Sequence, residues 1–409
     1  MPRAGQVKPP VAERLSDRIV IGVLTSTYPP ELVDRVVAET GRREERQRLL
    51  PARVVVYLVL AMALFSGQAY EEVARLLAGG LGWARRWQQW FAVPSTPAIA
   101  KARARLGAEP LARLFAEVAV PLATRSTRGA WYRGWRVCAI DGTCLDVADT
   151  PANAAAFGRP ATGRGEQAAF PQVRLVGVAE CGTHALLAAA MGPLARGETT
   201  LARELLGRLG PGMLLLADRE FAAAQLWRQA AATGAQLVWR TRSNAVLPVL
   251  EGFGDGSYRS QITAATDRRR GLAPTAVRVV EYRLGRDPGR PAQPGAAPYR
   301  LLTTILDPEQ APAAELATLY HQRWEFETAL DELKTHQRGP KAVLRSKSPE
   351  GVAQEVWGML LVHLAIRRLM HQAALDQDID PDRLSFVRSL RIVRRQVTTT
   401  GQVSAAIPP

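Results

Sequence analysis

The sequence predicts an α/β core with a mixed sheet, preceded by an all-α N-terminal domain and interrupted by a β-strand insert. Helical periodicity dominates residues 29–125, and a series of apolar strand candidates begins at Trp135. Residues 243–307 carry short strand candidates and no helical signal. Strands that alternate with helices are typical of α/β proteins.

The N-terminal region consists of a charged arm over residues 1–28 and a helical domain over residues 29–128. The arm has no apolar core of the kind that a secretory signal requires. In the segment STPAIAKARARLG, Ser95 or Thr96 is suited to cap a helix, Pro97 suits the first turn, and Gly107 suits the end.

Basic residues on this capped helix give two alternative interpretations of the N-terminal domain. Lys101, Arg103 and Arg105 make one side basic, and the preceding YEEVARLL is a second helix. The pair resembles a helix-turn-helix whose second helix would enter a major groove of DNA. The alternative is a plain helical bundle with a solvated basic face.

The pattern over residues 129–242 predicts the first part of the α/β core. A strand, WRVCAID, ends at Asp141, and two more strands follow, FPQVRLVGVAE and HALLAAAM. Next come the helix TTLARELLGRLG, the strand MLLLAD ending at Asp218, the helix FAAAQLWRQAAATG and the strand QLVWRTR. This order indicates one mixed sheet with helices packed against it.

Three further segments complete the predicted organisation. Residues 243–307 form the β insert, in which SQITA, AVRVVEYRL and YRLLTTIL alternate with turn-rich pieces. Residues 308–395 return to helix and complete the core, and residues 396–409 form a loose polar tail.

The charge of the chain indicates a polyanionic partner. The 409 residues include 53 Lys and Arg against 38 Asp and Glu, which gives a net charge of +15. Nucleic acid or an anionic membrane surface would attract such a chain. The longest apolar run, residues 54–65, is too short for the ~20 residues that a bilayer requires.

The cysteines and histidines favour a reducing compartment without a zinc motif. Cys138, Cys144 and Cys181 form no CxxC pair, as expected of a cytoplasmic protein. The five histidines show neither HExxH nor CxxH spacing. The sequence therefore predicts no zinc site.

Two aspartates at strand ends are candidate catalytic residues. A carboxylate at the C-terminal end of a strand projects into the crevice where α/β sheets bind ligands. Asp141 is followed by Gly-Thr, and Asp218 by Arg-Glu-Phe. Either aspartate alone is weak evidence, because such residues often start loops or cap helices.

The helix around residue 325 supplies a third carboxylate. At ~100° per residue, Tyr320, Arg323, Glu327 and Lys334 lie at roughly 0°, 300°, 340° and 320° and share one face. Glu325 and Glu332 fall on the opposite side. Asp331, near 20°, is the competing carboxylate, and an i,i+4 ion-pair ladder on a solvated helix is the alternative interpretation.

These motifs resemble those of the bacterial transposases of the insertion-sequence-four family. The resemblance rests on DGT at Asp141, DREF at Asp218, and tyrosine, arginine, glutamate and lysine with two, three and six intervening residues. It covers most of the chain. It implies a ribonuclease-H-like core with a β-strand insert between the second aspartate and the glutamate.

The resemblance also implies the site residues and the partners. Asp141, Asp218 and Glu327 would be a catalytic triad that binds two Mg²⁺ ions, for which Mn²⁺ substitutes. Two such ions activate the nucleophile and stabilise the 3′-oxygen leaving group of a phosphodiester, and Mg²⁺ prefers oxygen ligands. Double-stranded DNA, as transposon ends and target, would be contacted by Tyr320, Arg323, Lys334 and Arg219. The expected enzyme is a transposase that acts as a homodimer at synapsis, in the cytoplasm near the nucleoid.

Two alternatives stay open at this point: an inactive transposase-derived DNA-binding protein, and a ribonuclease-H-like nuclease without strand transfer. A hairpin intermediate is a separate question. Some family members hold a flipped base against a tryptophan of the insert, whereas residues 243–319 contain no Trp. The rings available for stacking are those of Phe253, Tyr258, Tyr282 and Tyr299, with Trp239 just before the insert.

Overall fold

The structure is a computed structural model of the chain. It describes residues 22–46, 48–79, 93–161, 168–264, 268–271, 273–283, 299–339 and 342–396. Most of the predicted N-terminal arm and all but the first residue of the predicted tail lie outside these ranges.

The described residues before position 130 form six helices. Their bounds are α1 Gly22–Thr27, α2 Pro30–Glu39, α3 Ala52–Leu64, α4 Tyr70–Gly79, α5 Thr96–Leu106 and α6 Glu109–Val118. α3 is apolar on every side and almost all of it is buried, as expected of a helix at the centre of a bundle. The turn of the predicted helix-turn-helix, residues 80–92, lies outside the described residues.

The core and the insert follow in the predicted order. The elements are β1 Trp131–Tyr132, β2 Trp135–Asp146, α7 Pro151–Phe157, β3 Gln172–Glu180, β4 Leu186–Pro193, α8 Glu198–Leu205, β5 Met213–Ala217, α9 Ala224–Ala231, β6 Gln236–Arg240, β7 Glu251–Gly252, β8 Tyr258–Ile262, β9 Thr275–Tyr282 and β10 Tyr299–Thr303.

All these strands belong to one mixed sheet. Its order is β4-β3-β2-β5-β6-β10-β9-β8-β7, and β1 pairs with β2 beside this path. The first three core strands are antiparallel, whereas β5 and β6 join them in parallel. This is the strand order of a ribonuclease-H-like core, so that prediction is confirmed. The insert extends the same sheet, because β10 pairs with β6.

The C-terminal region returns to helix. It contains α10 Ala313–Tyr320, a 3-10 turn His321–Arg323, α11 Trp324–Asp331, a π-helical segment Glu332–Gln337, α12 Pro349–Asp376, a 3-10 turn Pro381–Arg383 and α13 Phe386–Gln396. Ser348 caps α12 by accepting a hydrogen bond from the backbone N–H of Gly351. None of the described helices is long and apolar enough to cross a membrane.

Helices cover both faces of the sheet. On one face Cys138 and Ile140 of β2 pack with α8 and α9. On the other face Val137 and Ala139 join a continuous core that includes α10, α11, α12 and the N-terminal helices. The proposed division into domains at residues 128, 242, 307 and 395 stays a prediction, since this core runs across the first boundary.

Two expectations about individual elements are wrong. β2 does not end at Asp141 but continues to Asp146, because β3 pairs with it from Cys138 to Asp146. The segment from residue 313 to 337 is not one regular α-helix, because the 3-10 turn and the π-helical segment interrupt it. The calculated helical angles therefore hold only locally.

Candidate active site

Asp141 lies on β2, and Asp218 directly follows β5, the neighbouring parallel strand. The last parallel pair between β2 and β5 is Ile140 with Ala217, so each aspartate is the next residue along the chain. Asp141 thus marks the end of the pairing with β5, although β2 itself continues. The two predicted strand-end positions are therefore neighbours in the sheet.

Alternation along the strands directs both aspartates to the face that α11 covers. Asp141 follows Val137 and Ala139, whose side chains pack on that face, and successive strand residues alternate between faces. Asp218 extends the series of Leu214 and Leu216 in the same way. Both carboxylates are half-buried.

Arg323 joins the first and third predicted carboxylates. Its Nη1 donates to Asp141 Oδ2 over 3.2 Å, and its Nη2 donates to Glu327 Oε1 over 2.7 Å. Arg323 is 9% exposed and lies in the 3-10 turn before α11. The structure therefore brings Glu327 to the aspartates, and Arg323 stands between two of the three acids.

The pKa of the Asp141 carboxyl group is raised to about 6. Burial is the largest cause, and the nearby Asp218 and Glu327 also raise the pKa, whereas the Gly142 N–H and Arg323 lower it. Asp218 accepts a hydrogen bond from the N–H of Glu220 over 2.8 Å. Such a site stabilises an added cation.

The donor set fits Mg²⁺. Carboxylate oxygens are the hard ligands that this ion prefers, and it usually retains several waters. Within the described part of the chain, the carboxylate oxygens of the triad do not all lie within 4.8 Å of one another. An ion held between Asp141 and Glu327 would therefore replace Arg323, which now supplies the positive charge there.

The other predicted DNA contacts differ in exposure. Tyr320 is buried, and its hydroxyl donates to the Ala217 carbonyl over 3.3 Å, next to Asp218. Lys334 and Arg219 are exposed. Tyr320 therefore supports the aspartate strand in this structure, and contact with DNA by any of these residues stays a prediction.

A fourth carboxylate, Glu198, approaches the site from the other face of the sheet. It belongs to the first turn of α8, and a Cβ at Gly142 would lie 2.7 Å from its Cδ. Burial raises the pKa of Glu198, Arg174 lowers it, and Asp218 and Glu220 raise it. Sequence analysis missed Glu198, although a glycine directly after a candidate catalytic aspartate is a sign of close approach.

The face of α11 opposite Glu327 is packed against the protein. Glu325 accepts a hydrogen bond from the Gly182 N–H, and burial raises its pKa to about 7. Glu332 pairs with Arg367 and with His363 Nε2 at 2.9 Å. The predicted placement of Glu325 and Glu332 away from Glu327 is confirmed.

The expected basic face on α5 is wrong for Arg103. Lys101 and Arg105 are exposed, whereas Arg103 is buried and bonds to α12 through Gln354 Oε1 at 2.9 Å and the Gly351 carbonyl at 3.0 Å. Alternate residues of a helix point about 200° apart, so these three cannot share one face. Arg103 is thus a structural residue, and DNA binding by Lys101 and Arg105 stays a prediction.

Several of the aromatic rings predicted to be available for base stacking already contact other side chains in the protein. Trp239 is buried edge-on against Trp227, with ring centroids 5.2 Å apart. Arg240 lies over the Tyr299 ring at 4.0 Å, and the Tyr258 hydroxyl donates to Glu281 over 2.8 Å. Phe253 is half-buried.

Comparisons with known proteins match both halves of the chain. Residues 18–116 match the family described as insertion element 4 transposase N-terminal, and residues 133–365 match the transposase DDE domain. The transposase InsG for insertion sequence element IS4 of Escherichia coli (strain K12) is 31% identical over 378 residues, which are 90% of this chain and 81% of that protein.

Two further proteins show partial similarity. The putative transposase InsZ of Escherichia coli (strain K12) is 28% identical over 199 residues, which are 48% of this chain and 63% of that protein. A piggyBac transposase in a synaptic complex with hairpin DNA superposes with a TM-score of 0.48 at 12% identity, over 92% of this chain and 79% of that chain.

Proposed function

The chain belongs to the insertion element 4 family of DDE transposases, and from this premise we propose its substrate and mechanism. It binds the terminal inverted repeats of a bacterial insertion sequence and catalyses Mg²⁺-dependent strand cleavage and strand transfer. The observation that carries the proposal is the convergence of Asp141, Asp218 and Glu327 at the point where the parallel pairing of β2 with β5 ends.

The reaction exchanges one phosphorus–oxygen bond for another. In cleavage, a water oxygen bonds to phosphorus, the bond to the transposon 3′-oxygen breaks, and that oxygen leaves as a 3′-OH. In strand transfer, the 3′-OH attacks a target phosphate and releases a target 3′-OH. When bound by Asp141, Asp218 and Glu327, two Mg²⁺ ions would activate the attacking oxygen and stabilise the leaving one.

The residues of the chain prepare this site before DNA arrives. Arg323 holds Glu327 next to Asp141 in the free protein, and its guanidinium matches a phosphate as well as it matches a carboxylate. We infer that Arg323 moves to the DNA phosphate when the site is loaded. The exposed Lys334 and Arg219 would hold the flanking backbone.

The test is strand cleavage and transfer on a paired-end DNA substrate, with and without Mg²⁺. Cleavage followed by joined products that require Mg²⁺ would support the proposal. Cleavage without joining would indicate a nuclease, and binding without cleavage would indicate an inactive DNA-binding relative. In the second and third cases the proposed activity is wrong.

Affinity for DNA is expected to depend strongly on salt. The net charge is +15, and the exposed cluster Arg268, Arg269 and Arg270 lies in the insert. Each neutralised phosphate contributes a slope of about −0.9 to log affinity against log salt concentration. Affinity for a transposon-end sequence is measured by fluorescence anisotropy at several salt concentrations, and the slope should correspond to several neutralised phosphates. A slope near zero would contradict an interface dominated by phosphate contacts.

Glu198 is expected to support metal binding at the triad. It is half-buried beside Gly142, and the described residues include no hydrogen-bond partner for its carboxylate. Glu198→Gln should weaken Mn²⁺ binding about 10-fold, as measured by electron paramagnetic resonance, because it removes supporting charge near Asp218.

The matched control for this change is Glu204→Gln. Glu204 lies on the same helix and is exposed, and among the described residues it pairs only with Arg196, so its loss should leave Mn²⁺ affinity unchanged. If both variants bind Mn²⁺ as the unmodified chain does, Glu198 does not contribute to the site.

A further inference from the structure

Three side chains from separate elements converge behind the catalytic helix, on the side opposite Glu327. They are His184 from the turn between β3 and β4, Glu325 from α11 and Asp382 from the 3-10 turn after α12. One ligand atom of each lies within 4.8 Å of the other two. We propose that this cluster is a second metal site, distinct from the triad, that binds a transition-metal dication such as Zn²⁺.

The ring nitrogen that points into the cluster has no partner. His184 is 5% exposed, and its Nε2 is buried without a hydrogen bond among the described residues. Nε2 lies 3.4 Å from Asp382 Oδ1 and 4.0 Å from Glu325 Oε2. Leaving a buried polar atom unsatisfied costs about 1–3 kcal/mol, so the arrangement favours a ligand that this nitrogen can bind.

The spacing and the donor types suit Zn²⁺. Ligands at ~2.0–2.2 Å from a tetrahedral ion lie ~3.4 Å from one another. The two distances from Nε2 are therefore close to those that a bound ion requires. One imidazole nitrogen with two carboxylate oxygens is a set that favours Zn²⁺ over Mg²⁺. Asp382 is 43% exposed, which leaves room for a water as fourth ligand.

The charge of the cluster also favours a cation. Arg367 is already paired with Glu332. Within the described residues, the only ion-pair partner of Glu325 and of Asp382 is His184. His184 Nδ1 contacts Arg367, a group that can only donate a hydrogen bond. Two carboxylates thus converge on one imidazole, and a dication would compensate their negative charge.

The carboxylate of Glu332 is close enough to the ring of His184 to orient it. Glu332 Oε1 lies 3.7 Å from His184 Nδ1. With a metal ion on Nε2, the ring proton would lie on Nδ1, Arg367 would turn away from Nδ1, and Glu332 would accept a hydrogen bond from the Nδ1–H group. Arg367 keeps its Nε bond to Glu332 Oε2 at 2.9 Å. Carboxylate, histidine and metal in this series are a frequent arrangement in metalloproteins.

Such an ion would fix the catalytic helix from behind. Glu325 precedes Glu327 by two residues, so the metal would tie this part of α11 to the β3–β4 turn and to the segment after α12. The three ligands are far apart in the sequence, which explains why no zinc spacing was visible there. The site would be structural and would hold Glu327 in place.

The test removes the proposed catalytic ions first. The full chain carrying Asp141→Asn, Asp218→Asn and Glu327→Gln is titrated with Zn²⁺ by calorimetry and with Co²⁺ by visible absorption. We expect one equivalent of Zn²⁺ and a Co²⁺ spectrum with a nitrogen ligand. If this chain binds no Zn²⁺, the second site does not exist.

Single changes in the same background locate the ion. His184→Asn and Asp382→Asn should each weaken Zn²⁺ binding at least 10-fold, and Asn tolerates the left-handed backbone of His184, whose φ is 55°. His336→Asn is the control, because His336 is exposed and pairs with Asp331 on another surface. Unchanged Zn²⁺ affinity in Asp382→Asn, which alters an exposed turn, would overturn the proposal even if His184→Asn failed to fold.

This outcome is independent of the proposed transposition chemistry. Zn²⁺ binding is measured in a chain whose triad is already neutralised, so a failure of DNA cleavage elsewhere leaves the result unaffected. Conversely, loss of the second site would leave the assignment of Asp141, Asp218 and Glu327 standing.

Discussion

Asp218→Asn is expected to lower the rate of DNA strand cleavage about a thousandfold while DNA binding survives. The substitution keeps size and hydrogen bonding but removes the charge that would hold Mg²⁺ beside Asp141. If bound metal contributes ~4 kcal/mol to the transition state, its loss costs about three decades in rate at 1.36 kcal/mol per decade. Asp141→Asn and Glu327→Gln should behave alike.

Two measurements separate a catalytic role from a structural one. Cleavage is followed on a paired-end substrate across Mg²⁺ concentrations, and affinity for the same DNA is measured without metal. Affinity should stay equal or increase, because each change removes negative charge near the phosphates.

Asp331→Asn is the matched control for Glu327. Asp331 was the competing acid of the same helix, but it is exposed and pairs with His336 at 3.2 Å. The Asp331→Asn variant should cleave DNA at nearly the rate of the unmodified chain. If Asp331→Asn abolished cleavage while Glu327→Gln remained active, the choice of Glu327 would be wrong.

The three predicted carboxylates could be located from the sequence because the signals that mark their positions are local. Hydrophobic runs that end near Asp141 and Asp218 located two strands, and a parallel pair brings equivalent positions together. Glu327 follows Arg323 by one helical turn, and that spacing survives the 3-10 turn before α11. The helical angles calculated for residues after α11 do not hold, because the π-helical segment has a different number of residues per turn.

The features that the sequence did not reveal depend on distant partners. Glu198 matters only because β2 and α8 meet at Gly142, and His184 matters only because two remote turns meet α11. Likewise, the joining of the insert to the core sheet depends on the pairing of β10 with β6. The hydrophobic periodicity of the sequence identifies helices and strands, but it does not show which of them pack against each other.

Arg103 is the clearest example of a residue whose surroundings depend on distant partners. Its substitution is expected to cause a large loss of stability. The sequence placed it on a solvated basic face, whereas the structure uses its guanidinium to join α5 to the start of α12. Nε donates to Gln354 Oε1 over 2.9 Å, and Nη2 donates to Ser346 Oγ over 2.9 Å. Glu355 lies 4.0 Å away, so the charge is compensated inside the protein.

Arg103→Ala should therefore destabilise the fold by about 3–5 kcal/mol, the usual cost of removing one partner from a buried charged network. Gln354 and Ser346 would lose their donor in a site that water cannot easily reach. The measurement is the midpoint of urea unfolding, followed in the transition that includes the N-terminal helices. The exposed control Arg105→Ala loses the 3.5 Å pair with Glu44 and a 3.3 Å hydrogen bond to the Leu50 carbonyl, and a change of about 1 kcal/mol or less is expected. If Arg103→Ala unfolded at the normal urea concentration but bound DNA poorly, Arg103 would be a DNA contact after all, because only an exposed guanidinium combines those two results.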